Sequence, residues 1–221
     1  MNLIFDKNGY IEKLDTMYPS EVYKITDNMY FPPLHTTVYG YVIEGNAVLP
    51  DGRIAKEGEY FCAVNPTEIM ANGTTACFTR VGFRGQPMVG GPIESRGRLT
   101  YIDTCSDSLL VYPPRQGDPT LNALYFPPNV TQTYHTHPSL RFGCVASGSG
   151  YACIEPDANT GHERLITLTP GTVFCLNEGE VHRFKTMEEP MVVIAYHPDG
   201  DWGPTDHNHT MLNRTYKIGS F

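Results

Sequence analysis

The tetrapeptide Tyr30-Phe31-Pro32-Pro33 returns as Tyr125-Phe126-Pro127-Pro128, and two further markers return behind it in the same order. Val42-x-x-Gly45 recurs as Val145-x-x-Gly148, and Gly58-x-x-Phe61-Cys62 recurs as Gly171-x-x-Phe174-Cys175. A pattern that returns in order signals two copies of one supersecondary unit, so it restricts the fold before any element is assigned. The markers themselves are those of strands and turns, apolar or aromatic residues punctuated by glycine and proline. With 21 Gly, 18 Pro, 14 Tyr and 10 Phe in 221 residues, the chain suits many short strands joined by tight turns. The expected fold is an all-β barrel, present twice.

The copies differ in the segment that bears on chemistry. Tyr30 to Val42 spans 12 residues but Tyr125 to Val145 spans 20, and the longer segment carries His135 and His137. Alternate side chains of a strand share a face, so an H-x-H pair turns two imidazoles to one side of a sheet. That is how a β protein presents two neighbouring nitrogen donors to a metal ion. The candidate for a third donor is His182, in PGTVFCLNEGEVHRF, which reads as a turn, an apolar strand, a second turn and a strand start. His182 stands seven residues beyond Cys175, whereas the position seven beyond Cys62 is Ile69. The first copy therefore has no ligand set, and its His35 is expected to be a hydrogen-bonded structural residue. Three imidazoles gathered in a barrel repel if protonated and lack partners if neutral, unless a cation or water satisfies them. Zinc, iron, nickel and manganese all accept imidazole. The alternative is a barrel that keeps the pattern without an ion and serves only to bind a ligand.

These residues resemble the two-part motif of the cupin superfamily. Its first part is H-x-H, an acid a few residues on, then an apolar strand ending in V-x-x-G-x-G, matched here by His135, His137, Val145, Gly148 and Gly150. Its second part is P-G, a short strand, a turn with glycine and a histidine before an aromatic, matched by Pro170, Gly171, Gly179, His182 and Phe184. The resemblance covers roughly a quarter of the chain. It implies a double-stranded β-helix, or cupin jelly roll, and the internal repeat then makes the chain look like a bicupin. The expected organisation is a degenerate barrel over residues 1–105, a linker over 106–120, and a metal-binding barrel with a tail over 121–221.

One position departs from the family pattern. Where most cupins carry a glutamate ligand, four residues before the valine, this chain has Arg141. A guanidinium is always protonated and donates no lone pair. At about 6 Å from a divalent ion it would be repelled by roughly 5 kcal/mol at an effective dielectric of 20. Arg141 must then turn away, be neutralised by an acid such as Glu155 or Glu180, or meet an anionic ligand, whose carboxylate it would hold in a bidentate pair. The family includes three-histidine centres without the glutamate, among them thiol, gentisate-type and diketone-cleaving dioxygenases. The resemblance thus implies one divalent ion on His135, His137 and His182, with Fe(II) favoured over Zn, Ni or Mn. Arg141 and Phe184 are the candidates for substrate binding. A non-haem iron dioxygenase acting on a small organic acid is the first functional expectation. A metal-dependent isomerase, lyase or decarboxylase, or a non-catalytic binding module, are the others.

The formal charge of −8 argues against nucleic acid or an anionic membrane as partner. The six cysteines form no C-x-x-C pair and mostly fall in apolar runs, so buried free thiols in the cytoplasm are expected. Met1 to Asp15 lacks the apolar core of a signal peptide, and the longest apolar run, Met191 to Tyr196, is too short to span a membrane. Cupin-like barrels often exchange N-terminal arms, and residues 1 to 25 read as such an arm, a hint of a homodimer. Leu99 to Asp103 is expected as a strand between the units. The tail holds Trp202 and a second H-x-H, His207 and His209, which the surrounding Asp201, Asp206 and Asn208 mark as a hydrated loop.

Overall fold

The structure, a computed structural model, describes residues 1–4, 8–31, 36–115, 117–155, 162–200 and 216–219. His35, Trp202, His207 and His209 lie outside them. Strands account for nearly all regular structure. In the first half these are β1 (Asn2–Ile4), β2 (Tyr10–Lys13), β3 (Ser20–Ile25), β4 (Asn28–Tyr30), β5 (Thr36–Val48), β6 (Ile54–Lys56), β7 (Tyr60–Val64), β8 (Glu68–Val81) and β9 (Met88–Gly90). The remainder holds β10 (Leu99–Thr100), β11 (Ser106–Val111), β12 (Thr120–Phe126), β13 (His135–Thr136), β14 (Arg141–Gly148), β15 (Gly150–Ile154), β16 (Arg164–Leu168), β17 (Val173–Leu176), β18 (His182–Lys185), β19 (Met191–His197) and β20 (Tyr216–Lys217). Among the described residues, no helix is long and apolar enough to cross a membrane.

Three sheets result. The first half forms one sheet in the order β2-β3-β8-β5-β7-β9, with β4 on β8 and β6 on β5. The later strands form a seven-stranded sheet, β1-β17-β14-β19-β12-β11-β10, and a five-stranded one, β16-β15-β18-β13-β20. The seven-stranded sheet is buried on both faces, which explains why β12, β14, β17 and β19 read as nearly unbroken apolar runs. Alternation sorts its residues. Phe142, Cys144, Val173, Cys175, Ile194 and Tyr196 pack toward the first half, against Tyr39, Tyr41, Cys62, Ala76 and Phe78. Val145, Phe174, Leu176, Val193 and Ala195 pack the other way, against Ala152, Ile166, Leu168 and Phe184 of the five-stranded sheet. Tyr196 joins the two halves through stacked rings, 5.8 Å from Phe78 and 6.0 Å from Phe142. A third core, with Val38, Phe61, Ala63 and Ile69, fills the first half.

The sequence markers adopt matching backbones. Gly40 pairs with Phe61 and Gly143 with Phe174, and in each pair a Cβ on the glycine would collide with the aromatic ring lying over it. Gly45 (φ 80°) and Gly148 (φ 70°) both take the left-handed conformation next to a carbonyl oxygen, of Asn72 and Pro190 respectively. Strand β5 pairs with β7 and β8 as β14 pairs with β17 and β19.

Three segments depart from the sequence expectation. Ser106–Val111, inside the expected linker, is a strand fully paired with β12. Leu99 to Asp103 is extended only at Leu99–Thr100 and then turns through a short 3-10 helix, Ile102–Thr104, with Asp103 at φ 53°. The N-terminal strand β1 docks on β17 of its own chain. In each case the chain finds a ladder partner distant in sequence, which local pattern does not report. The six cysteines are free and buried, as expected. Burial pushes their thiols up, Cys62 to about 12 and Cys105, Cys153 and Cys175 to about 11, which makes them poor nucleophiles.

Candidate metal centre

His135 opens β13 and His182 opens β18, and the two are direct cross-strand partners. His137 lies just past the end of β13, where its carbonyl accepts the Gly179 N–H at 2.9 Å and so ties the H-x-H segment to the turn before His182. The structure thereby brings together all three histidines singled out in the sequence. Ring centroids are 5.2 Å apart for His135 and His137, 4.5 Å for His135 and His182, and 5.1 Å for His137 and His182. One donor atom from each lies within 4.8 Å of the others. Donors bound at about 2.1 Å to one ion stand about 3 Å apart when adjacent, so the rings need only close slightly on a cation.

Two of the rings are oriented by one local device used twice. His135 Nδ1 lies 2.9 Å from the carbonyl oxygen of Thr133, and His182 Nδ1 lies 2.8 Å from that of Glu180. A carbonyl only accepts, so Nδ1 must be the protonated nitrogen and Nε2 carries the lone pair. Such a bond to a backbone carbonyl is the usual way a protein fixes the tautomer of a metal-binding histidine. His182 is fully buried, yet its Nε2 has no hydrogen-bond partner. An orphaned buried lone pair beside two more imidazoles fits a cation, and the donor set suits a divalent transition metal.

Charge and burial hold the rings neutral. His137 titrates well below the ordinary histidine value, chiefly because it is buried and also because Arg141, His182, His135 and His197 face it. His182 is shifted the same way by burial, then by His135, the N-terminal ammonium and Arg141. Neutral imidazoles are the form that binds metal.

The cavity in front of the rings is lined by His135, His137, Arg141, Phe184 and His197 with an apolar wall including Leu124, Phe174 and Val193. It leaves ≈ 20 Å³ for the centres of water molecules. Roughly 10 to 15 Å³ by that measure holds one water, so an organic ligand needs side chains to move. Both candidate substrate contacts, Arg141 and Phe184, are at the cavity. Arg141 pairs with neither Glu155 nor Glu180 in the recorded contacts. Its Nη1 donates to Asp199 Oδ1 at 3.3 Å, to the Leu140 carbonyl at 2.9 Å, and to the carbonyl and hydroxyl of Ser139. Ser139 Oγ in turn donates to Asp199 at 2.5 Å. Glu180 instead accepts from Asn177 and pairs with the N-terminus.

Sequence reasoning missed His197, Asp199 and Asp103. His197 was findable, because it continues the inward alternation of Val193 and Ala195 along β19. Asp199 lies past the strand end and carries no periodic signal. Asp103 accepts the Thr133 N–H at 2.6 Å and the Thr133 hydroxyl at 3.2 Å, and so braces the residue whose carbonyl orients His135.

The strand pairing and buried histidine cluster define a cupin-type β-barrel. No protein-family model matches the chain, and no curated protein matches it in sequence. Solved structures share the fold at low identity. A cupin 2 conserved barrel domain protein from Leptotrichia buccalis superposes with a TM-score of 0.58 at 12% identity, over 87% of this chain and 91% of its own. A putative glyoxylate-induced protein from Pseudomonas aeruginosa gives 0.62 at 13%, over 89% and 82%. The Mn(II)-containing oxalate decarboxylase of Bacillus subtilis gives 0.53 at 13%, over 91% and 76%.

Proposed function

We propose that this chain is a metal-dependent cupin enzyme that holds one divalent ion on His135, His137 and His182 and acts on a small anionic organic substrate. The observation that carries it is the unpartnered Nε2 of a fully buried His182, its Nδ1 committed to a backbone carbonyl, inside a trio of neutral rings. A bound Fe(II) would supply Lewis acidity and, with dioxygen, oxidative chemistry, so a non-haem dioxygenase is the favoured reaction class. The chain's own residues supply the rest. Three neutral ligands leave the ion's positive charge uncancelled, and Arg141 adds another, so the cavity selects an anion. Asp199 and Ser139 hold the guanidinium in place, and the apolar wall excludes water. A decarboxylase or lyase is the second reading, favoured by the likeness to the Mn(II) oxalate decarboxylase.

We read the scaffold as two tandem barrels, the first without ligands. The paired conformations of Gly40 and Gly143, and of Gly45 and Gly148, support this. The test is elemental analysis of protein purified without added metal, beside His137→Ala. Stoichiometric metal in the parent and none in the variant is expected, and equal trace amounts in both would refute the site. Oxygen uptake matching substrate loss then separates dioxygenase from lyase.

A further inference from the structure

The pair His135 and His182 is backed, on the opposite face of the five-stranded sheet, by a second cross-strand pair. Tyr134 precedes His135 and Arg183 follows His182, so the antiparallel register that sets the histidines opposite one another sets these two opposite as well. The Arg183 guanidinium lies 4.4 Å from the centre of the Tyr134 ring. Glu163 closes the arrangement from the segment leading into β16. Its Oε1 accepts from Arg183 Nε at 2.9 Å and from the Tyr134 hydroxyl, and Arg183 Nη2 stands 2.8 Å from the same oxygen. Carboxylate, guanidinium and phenol thus form one closed clasp.

The backbone at this point is thinly tied. Strand β13 is two residues long, and its ladder to β18 consists of the single pair His135↔His182, with an isolated bridge at Thr131↔Lys185 farther along. A strand so short does not fix its own spacing from its neighbour, and a metal site tolerates only small errors in donor separation. The side chains directly behind the two histidines therefore carry that task. Arg183 and Glu163 are partly shielded, at 26% and 23% exposed, so their pairing is less screened than that of a fully exposed ion pair. The cluster otherwise has no route to the cavity, since Tyr134, Glu163 and Arg183 are not among its lining residues.

We propose that Tyr134, Glu163 and Arg183 are positioning residues that set the separation of His135 and His182 from outside the barrel and thereby tune metal affinity. The assignment rests on the metal-binding reading above. Its test uses full-length protein stripped of metal and titrated with Mn(II), with the electron paramagnetic resonance spectrum of the bound ion recorded at saturation. Glu163→Ala and Arg183→Ala are expected to weaken Mn(II) binding about tenfold and to alter the spectrum. Tyr134→Phe keeps the ring under the guanidinium and loses only the hydroxyl, so about threefold with a smaller spectral change is expected. Should the alanine variants fail to fold, Tyr134→Phe decides alone.

A merely structural clasp would lower the melting temperature of the stripped protein while leaving affinity and spectrum as in the parent, and that result overturns the assignment. A parent protein that takes up no Mn(II) overturns the metal-binding reading itself, and this inference with it.

Discussion

Among the described residues of the first half, the buried polar side chains are hydroxyls: Ser20, Thr36, Thr37, Thr75 and Thr79. The second half buries Asp107, Asp118, Asn122, Gln132, Arg141, Asp199 and four histidines. Both halves use strands paired in the same way, and both lay an aromatic ring over a strand glycine. A hydroxyl loses little when it enters a sheet, because a nearby backbone carbonyl satisfies it. An ionisable group costs several kcal/mol unless it is paired or neutralised. Equal scaffolds with unequal interiors locate the chemistry, since only one half carries a burden that folding alone would not require.

Four measurements would break or sharpen this comparison. The largest effect is on metal content: His182→Ala should abolish stoichiometric uptake, as read by inductively coupled plasma analysis, while leaving the first half folded. Next is Asp107, whose carboxyl is pushed up to about 7 by burial, against the Asn122 amide that donates to it at 2.9 Å. The unfolded chain loses that proton near pH 4 and the folded one near 7, so stability falls as pH rises through that window. Asp107→Asn should therefore stabilise the protein by up to about 4 kcal/mol at pH 8, with little effect at pH 4. Urea midpoints at the two pH values check this, and a loss of stability at pH 8 would contradict it.

The third is acid sensitivity of metal-free protein. His137 and His182 stay neutral when folded but take up protons near pH 6.5 when unfolded. As pH falls below 6.5, each should cost about 1.4 kcal/mol of stability per pH unit until its depressed value is reached. A His137→Gln/His182→Gln double variant should show a flatter acid limb in thermal melts. The smallest effect tests the scaffold the halves share. Gly40→Ala and Gly143→Ala each press a methyl into a ring, Phe61 or Phe174, and each should cost about 2 kcal/mol. Unequal losses would mean that the two halves are packed on different terms.

The legible part of the centre was set by spacing. H-x-H and the position of His182 after Pro170-Gly171 were enough to nominate three donors that the fold gathers, because strand alternation and turn residues act locally. Arg141 was legible as a departure, and its consequence was not, since its partner Asp199 lies 58 residues away. The strand in the expected linker was hidden for a similar reason. Ser106–Val111 becomes a strand by pairing with β12, and its own six residues give no sign of that edge.

The chain's sequence by itself determined the strand-and-turn character, the repeat and the candidate donors, all of which depend on side chains a few residues apart. The tertiary structure alone decided which carboxylate neutralises Arg141, that His197 faces the cavity, that the N-terminal strand docks on β17, and that Tyr134 and Arg183 stand behind the histidines. These depend on which distant strands share a sheet and in what register. Register is fixed by the summed packing of whole faces, and no short stretch of sequence contains that sum.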